Sequence, residues 1–166
     1  MTGKTHIAGG MAACLIADTM ISTYQSAPAF YISGFVGALL PDICQTNSKI
    51  GRRLPILSRT ISHIFGHRKL THSLLFLLLT LLLFSTMSQD YSMIRDGLLI
   101  GMLSHMILDA CTVNGIYFFY PFKVKVRIPF YTRTGGPIEM IVFAVLTLYI
   151  LLNASEILRK WVAMVV

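Results

Sequence analysis

The chain contains few charged residues. Lys, Arg, Asp and Glu together make up 13% of its 166 residues, whereas soluble globular proteins carry about a quarter. Hydrophobic residues make up 55%, and the mean hydropathy is +0.69. This balance excludes an ordinary soluble enzyme and indicates an integral membrane protein. The chain is also too short for two domains, so we expect one membrane-embedded domain covering residues 1–166.

Cysteine is scarce as well. Cys14, Cys44 and Cys111 form no CxxC pair and lie in or beside apolar stretches. Neither a disulfide framework nor a cysteine-based zinc module is therefore indicated. Acidic residues are also few, which leaves a net charge of +7. Because Lys and Arg cluster between apolar runs instead of alternating with aromatic residues, we expect contacts with membrane lipids or phosphate and none with nucleic acid.

Five apolar runs are present, and they predict an all-α membrane bundle of about five helices. Each run is at or below the ~17–25 residues of a simple span, so the spans require tilt or polar extensions. The first run also fits a signal peptide, because Lys4 precedes an apolar core. Gly9 and Gly10 favour a helix-packing face instead. The runs cover residues 7–22, 29–43, 70–87, 97–111 and 138–152.

Basic residues predict the orientation of the bundle, because Lys and Arg remain on the cytoplasmic side. Residues 45–69 carry several basic residues and no acid, and residues 123–133 are also basic. We therefore expect a multi-pass protein with its N-terminus inside and the C-terminus outside or in an interfacial helix. Residues 50–64 alternate apolar and basic residues, which is typical of an amphipathic helix on the membrane surface. Residues 117–127 predict a cytoplasmic-side aromatic and basic hairpin or loop.

Ionisable residues occur within or beside the apolar runs, although each costs roughly 2.5–3.5 kcal/mol at the centre of a membrane helix. With the orientation above, most of them fall at one depth near the cytoplasmic face. Asp18 falls near the outer end of the first run, where solvation or a helix-end role is expected. The residues predicted to lie together, as metal ligands, are His6, Asp42, His67, His72, His105, Asp109 and Glu139.

His105 and Asp109 lie four residues apart in SHMILD, which places both on one face of a helix. Taken alone, such residues are more often a hydrogen-bonded pair than a metal site. Together with the rest of the group they indicate a divalent metal. The seven candidate ligands exceed the three protein ligands of a single catalytic zinc. We predict one or two ions, with two favoured and Asp42 or Asp109 bridging them. Zinc is expected, with manganese or iron as alternatives, and Glu139 also fits compensation of a helix dipole.

Such a site activates water for hydrolysis. A metal lowers the pKa of bound water to about 7 and stabilises the leaving oxygen of an ester or phosphoryl group. Arg68 has the planar fork that clamps a phosphate, although it also fits a topological role as one more basic loop residue. Thr71 and Ser73 are expected to cap a helix start or to orient a histidine. The predicted catalytic residues are Asp42, His72, His105, Asp109 and Arg68.

We expect hydrolysis of a phospholipid or other lipid-linked (phospho)ester at the cytoplasmic face. The alternative is a non-catalytic metal-binding membrane protein, either an ion carrier or a sensor. A carrier needs polar residues across the whole bilayer, and the outer halves of the runs are almost entirely apolar. A third possibility is a structural or regulatory protein whose buried acids pair with histidines. The sequence indicates no particular oligomeric state.

Four segments carry a family resemblance: GALLPDIC, NSKIGRRLP, FGHRKLTHSLL and GMLSHMILDACTVNGI, at residues 37–44, 47–55, 65–75 and 101–116. In this order they resemble the YdjM-like family of bacterial inner-membrane metal-dependent hydrolases, from His6 to about Glu139. The resemblance implies a hydrolase in the inner membrane. A more distant similarity to zinc-dependent phospholipase C implies a phospholipid substrate.

The resemblance also carries the family's ligand positions onto this chain. They fall on His6, Asp42, His67, His72, His105 and Asp109, with Glu139 as a looser match. Cys44 departs from the pattern, because the family commonly has a second aspartate there. A thiolate at this position is a softer ligand or a neighbour of a ligand. Lys69 stands where a glycine is usual and adds charge beside Arg68.

Overall fold

A computed structural model describes residues 1–21, 27–65, 69–86, 91–129 and 131–165. Within these ranges the chain forms α-helices and two short 3-10 helices, with isolated bridges but no strand, so the predicted all-α fold is confirmed for them. The α-helices are α1 (Gly3–Ile21), α2 (Pro28–Gly37), α3 (Lys49–Arg53), α4 (Pro55–Phe65), α5 (Leu74–Ser85), α6 (Ser92–Ala110) and α7 (Pro137–Val165), and the 3-10 helices are η1 (Leu40–Cys44) and η2 (Leu70–His72).

Helix α6 is the centre of the bundle. It packs against α1, α2 and α5, and α7 lies along the other side of α1. Apolar side chains fill the interfaces: Phe30 of α2 lies against Leu15 of α1, while Met102 and Met106 of α6 lie in a second cluster with Ile116. The core therefore surrounds the C-terminal half of α6, where two of the candidate ligands are located.

Helices α2 and α6 cross with their backbones in contact. A Cβ atom on Gly101 would overlap the carbonyl oxygen of Gly34, and one on Gly37 would overlap the carbonyl of Leu98. Small residues at such a crossing allow the close approach that membrane helices use in place of a hydrophobic driving force. The crossing holds η1, which follows α2, against the body of α6.

The predicted packing face of the first helix is confirmed. A Cβ on Gly9 would overlap Leu108 of α6, and a Cβ on Gly10 would overlap the side chain of Ala38 at the end of α2. Helix α1 therefore packs closely against both neighbours. This places its first turn beside the C-terminal end of α6.

The predicted number of membrane spans is not confirmed by the length and hydropathy of the helices. Among the described residues, only α7 contains a segment long and apolar enough to cross a membrane, Pro137–Ser155 with a mean hydropathy of 2.0. Helix α5 has 12 residues and is about 18 Å long, against a hydrocarbon core of about 30 Å. All five apolar runs do form helices, but a bundle of about five spans is not established.

The predicted surface helix over residues 50–64 is two helices. The chain breaks at Leu54, whose backbone is not helical, because Pro55 disfavours the α conformation in the residue before it. Helix α4 is amphipathic, with Ile56 and Ile64 largely exposed on a surface that also carries Arg59. An amphipathic helix is therefore present, shorter than expected.

Residues 111–129 and 131–136 lie in a long connection between α6 and α7. Ile116 and Val126 exchange two backbone hydrogen bonds of 3.0 and 2.8 Å in an antiparallel bridge. Thr132 donates its N–H to the carbonyl of Cys111. The predicted aromatic and basic hairpin or loop is thus a loop with isolated bridges, tied back to the end of α6.

Candidate metal centre

Five of the predicted ligands lie together in one buried cluster. His6, His72, His105 and Asp109 are 0% exposed, and Asp42 is 8% exposed. Their ligand atoms form two overlapping groups of three, within each of which the atoms lie within 4.8 Å of one another. One group is His6, Asp42 and His105, and the other is His72, His105 and Asp109.

The cluster occupies one end of the helical bundle. His6 lies in the first turn of α1, while His105 and Asp109 lie in the last two turns of α6. Asp42 lies in η1 directly after α2, and His72 ends η2 directly before α5. These helix ends meet because the paired helices run in opposite directions, so residues far apart in sequence reach a common height.

Nitrogen and oxygen atoms of the cluster face one another at short distances. His72 Nε2 lies 3.3 Å from Asp109 Oδ2 and 3.2 Å from His105 Nε2. His6 Nε2 lies 3.2 Å from Asp109 Oδ1. Asp42 Oδ1 is 3.8 Å from the Nε2 atoms of both His72 and His105. Three imidazole nitrogens and two carboxylates therefore converge, which is the donor chemistry of zinc, manganese and iron sites.

The orientation of His105 is determined by a backbone hydrogen bond. Its Nδ1 lies 2.7 Å from the carbonyl oxygen of Ala38, and since a carbonyl can only accept, Nδ1 carries the proton. Nε2 then has the free lone pair and points into the cluster. Metal-binding histidines are commonly oriented in this way. The His6 ring stacks on His105, with centroids 3.6 Å apart and planes 12° apart.

His6 has buried polar atoms that suggest a missing partner. Its Nδ1 makes no hydrogen bond with any residue that the structure describes, and its Nε2, 3.2 Å from Asp109 Oδ1, does not meet the geometry of one. Buried polar atoms are almost always partnered, because the loss of water otherwise costs free energy. A divalent cation between His6 Nε2 and the nearby carboxylates would supply that partner. The residues present therefore fit a metal ion.

The electrostatics around His72 also favour a cation. Its Nε2 lies 3.3 Å from the Asp109 carboxylate and 3.8 Å from the Asp42 carboxylate, and both acids are buried. The field of the buried carboxylates thus stabilises positive charge at this position. The same field stabilises a metal ion, which takes the place of the proton on the nitrogen.

Comparison with known proteins identifies the family. The sequence matches the YdjM inner membrane protein family over residues 1–166. The chain belongs to the YdjM family. This confirms the family resemblance and an inner-membrane location. No solved structure matches the chain.

Two kinds of relative illustrate the range of similarity. "Uncharacterized protein YvsG" of Bacillus subtilis (strain 168) is 53% identical over 149 residues, which are 89% of this chain and 91% of that protein. "Inner membrane protein YdjM" of Escherichia coli (strain K12) is 33% identical over 108 residues, 63% of this chain and 55% of that protein. The Shigella flexneri protein of the same name has the same values. The match thus spans about half the length of these two YdjM proteins.

Glu139 lies outside the cluster in this YdjM-family structure. Its Oε1 accepts hydrogen bonds of 2.6 Å from the Thr2 N–H and the Thr5 hydroxyl, and its Oε2 accepts one of 2.6 Å from the Gly135 N–H. It is not among the donor groups that the described residues bring within 4.8 Å. Glu139 instead ties the start of α1 to the start of α7, which holds the N-terminal segment over the site.

Two predicted residues, His67 and Arg68, lie outside the described residues, and their roles as ligand and phosphate clamp stay predictions.

Cys44, the departure from the family pattern, lies buried beside His72, and its S–H group donates to the Pro41 carbonyl over 3.6 Å. It therefore neighbours a ligand, and a change in its charge acts on His72 directly.

The predicted roles of the residues before α5 are confirmed. Ser73 caps the helix by accepting a hydrogen bond from the Phe76 N–H, and the Thr71 hydroxyl lies 3.1 Å from Nδ1 of His72. The contact with Thr71 orients the His72 ring so that Nε2 points to Asp109.

Two contacts at the cluster were missed in the sequence analysis. The carbonyl of Ala38 orients His105, and the α-amino group of Met1 donates to Asp109 Oδ1. Backbone groups carry no signature of residue type, so neither contact has a sequence signal.

Asp18 is separate from the cluster, as predicted, but its expected solvation is wrong. It is 2% exposed and accepts a hydrogen bond of 3.0 Å from the hydroxyl of Tyr31. Because Asp18 belongs to α1 and Tyr31 to α2, the carboxylate is a buried link between these two helices.

Proposed function

We propose that this YdjM-family protein is a metal-dependent hydrolase that cleaves a lipid-linked ester or phosphoester at the cytoplasmic face of the inner membrane. One observation carries the proposal: three imidazoles and two carboxylates from α1, η1, η2 and α6 converge in a buried cluster whose ligand atoms lie within 4.8 Å of one another in each group of three. Burying so many titratable groups is costly unless a cation compensates them.

The cluster supports one ion better than two. Both donor groups require His105, whose Nδ1 is occupied by the Ala38 carbonyl. A single Nε2 lone pair cannot complete two separate sites. The two groups are therefore alternative descriptions of one centre, held by His105 and by carboxylates and imidazoles on either side of it. Zinc suits this mixture of imidazole and carboxylate donors, and manganese and iron are the alternatives.

The chemistry follows from which groups are accessible. A divalent ion bound here supplies Lewis acidity, which activates water and polarises an ester or phosphoryl oxygen. Asp42 is the one member of the cluster with measurable exposure, and it borders an opening at the surface. We therefore assign Asp42 as the group that meets the substrate and accepts the proton of the attacking water. Asp109 and His72 are fully buried, so we assign them to holding the metal ion in place and compensating its charge.

The location of the cluster supports a multi-pass arrangement. Its residues lie where α1 and α5 begin and where α2 and α6 end, as expected if these helices cross the membrane in alternating directions. The neighbouring segment with Lys49, Arg52 and Arg53 is basic, which favours the cytoplasmic side. Helix α7 is one span, and the shorter helices require tilt or a locally thinner bilayer.

Metal content and turnover of one pair of variants test the proposal. His105→Ala removes the nitrogen that both donor groups share, so we expect the purified protein to lose its metal and all turnover of phospholipid. Unaltered protein is expected to hold about one zinc-type ion per chain by elemental analysis. His63→Ala is the matched control, because His63 is exposed on α4. It should keep both properties.

Two results would reject the hydrolase. Normal turnover by protein stripped of metal would remove the mechanism. Metal flux into proteoliposomes without hydrolysis would identify an ion carrier instead.

A further inference from the structure

Two cavities adjoin the cluster and share a wall. The first has a volume of about 280 Å³ and is lined by Asp42, Lys49 and Arg52. The second, of about 300 Å³, is lined by Ile7 of α1 and by apolar residues of α2. Leu39, Lys49 and Ile50 border both cavities. We call the first the basic cavity and the second the apolar groove.

Hydrogen bonds and a close backbone contact position the segment that forms the basic cavity. Ser48 caps α3 by accepting a hydrogen bond of 2.9 Å from the Gly51 N–H, and its hydroxyl donates over 2.8 Å to the carbonyl of Asp42. A Cβ on Gly51 would overlap the carbonyl of Gln45, so α3 lies directly on the chain that leaves η1. This docking positions the backbone of α3, and with it the start of the Lys49 and Arg52 side chains, beside Asp42.

Charge in the basic cavity favours an anion. Lys49 and Arg52 contribute two positive charges, and Asp42 is the one acid in the lining. The stem of Lys49 crosses the start of α1, where a Cβ on Gly3 would lie 3.6 Å from Lys49 Cδ. An ammonium and a guanidinium are the groups that proteins use to bind phosphate. A phosphate held here lies beside the carboxylate that we assign to the reaction.

The apolar groove favours a hydrocarbon chain. Phe35 and Val36 are each 41% exposed, and Ile7 is half-buried, so the groove is open on the surface of α1 and α2. Arg53 lies in its lining near the basic cavity. Apolar side chains beside cations match the two halves of a charged lipid, because the chain and the headgroup are joined over a short distance.

We propose that the substrate is an acyl lipid with an anionic phosphate headgroup, whose phosphate binds Lys49 and Arg52 in the basic cavity and whose chain lies in the apolar groove along Phe35 and Val36. This inference deepens the proposed function and rests on it for the reaction. Binding itself requires no turnover. The two cavities therefore have a test that is independent of hydrolysis.

The test uses the full chain in an uncharged detergent and lysophosphatidic acid with a photoreactive group in its acyl chain. After illumination, peptide mass spectrometry should locate the label on α2 near Phe35 and Val36. Replacing both Lys49 and Arg52 with Gln should weaken labelling by about tenfold, because charge-assisted hydrogen bonds to the phosphate are lost. Arg52→Lys keeps the charge and should retain most of the labelling. Replacing Arg59 and Lys123 with Gln is the control of equal charge change, because both residues are exposed and line neither cavity, and this variant should label normally.

Competition distinguishes a lipid from free phosphate. Unlabelled lysophosphatidic acid should displace the probe, whereas inorganic phosphate and uncharged monoacylglycerol should each compete at least about tenfold less well, since each fills one cavity alone. Equal competition by inorganic phosphate would overturn the proposal in favour of a phosphate site. Unchanged labelling of the Lys49 and Arg52 double variant would overturn it as well.

His105→Ala separates the two proposals. This variant should still be labelled, because the cavities are intact, although it lacks turnover. If the unaltered protein binds the lipid and does not hydrolyse it even when loaded with zinc, the proposed function fails and the lipid site stands.

Discussion

At the scale of single residues, the structure assigns different roles to acids that the sequence cannot tell apart. Asp109, Asp18 and Glu139 all belong to helices with apolar segments. Asp109 faces three histidines, Asp18 faces the hydroxyl of Tyr31, and Glu139 binds backbone and hydroxyl donors of the N-terminal segment. Each carboxylate has a different set of partners. The role of an acid therefore depends on its neighbours more than on its depth in the helix.

The link between Asp18 and Tyr31 gives a prediction for stability alone. Tyr31→Phe removes the donor to a carboxylate that is 2% exposed, so we expect a loss of about 1–3 kcal/mol in the free energy of unfolding. A thermal melt of the protein in detergent measures this loss as a lower Tm. The metal content should not change, because the pair lies outside the donor groups.

Asp18→Asn in the same background is the control for this prediction. The amide is easier to bury than a carboxylate, so the double variant should recover part of the lost stability. A Tyr31→Phe variant as stable as the unaltered protein would show that the hydrogen bond does not hold α1 and α2 together.

At the scale of elements, the apolar runs predicted the helices but not their ends. Helix α6 begins at Ser92, not at residue 97, and includes the adjacent ion pair of Arg95 and Asp96 at 2.7 Å. Helix α7 continues to Val165, well past residue 152. Hydropathy reports which residues partition into a membrane, whereas a helix continues wherever its backbone bonds are satisfied. Arg95 and Asp96, which lie at or before the edge of the apolar run, are therefore helical.

The crossing of α2 and α6 gives a prediction for an element. Gly101→Ala places a Cβ against the carbonyl of Gly34, so the two helices must separate. Because η1 follows α2, this movement displaces both Asp42 and the Ala38 carbonyl that orients His105. We expect a lower Tm and a lower metal content from one substitution that touches no ligand. Thermal melts and elemental analysis measure the two effects.

Gly3→Ala is the matched control for the crossing. A Cβ at Gly3 meets only the flexible stem of Lys49 at an ordinary contact distance of 3.6 Å. Its Tm and metal content should equal those of the unaltered protein. If Gly101→Ala also behaves normally, the α2–α6 crossing does not position the metal centre.

At the scale of the whole molecule, the site depends on helix ends meeting at one side of the membrane. The proposed topology is testable by cysteine labelling, after Cys111, which is partly exposed, is replaced by Ser. Lys69→Cys, near the cluster, should react with an impermeant reagent only from the cytoplasmic side. Tyr91→Cys, at the opposite end of α6, should react only from the other side. Labelling of both positions from the same side would contradict the multi-pass arrangement and the cytoplasmic location.

The sequence by itself determined the membrane class, the family, the helical fold and the types of residue available as ligands. These follow from local properties, because hydropathy, spacing and motifs are read along the chain. The sequence also predicted that His6, Asp42, His72, His105 and Asp109 lie together, because burying ionisable residues costs free energy and needs compensation.

Only the tertiary structure decided which donors share a centre. Glu139 and His6 both lie in the first turn of a helix, yet only His6 meets the cluster, since Glu139 is bound by Thr2, Thr5 and Gly135. Likewise, nothing in the order of residues places Lys49 between an apolar groove and Asp42. Ligand atoms must meet within a few ångströms, and that distance depends on how helices cross and rotate, which glycine contacts between distant segments determine.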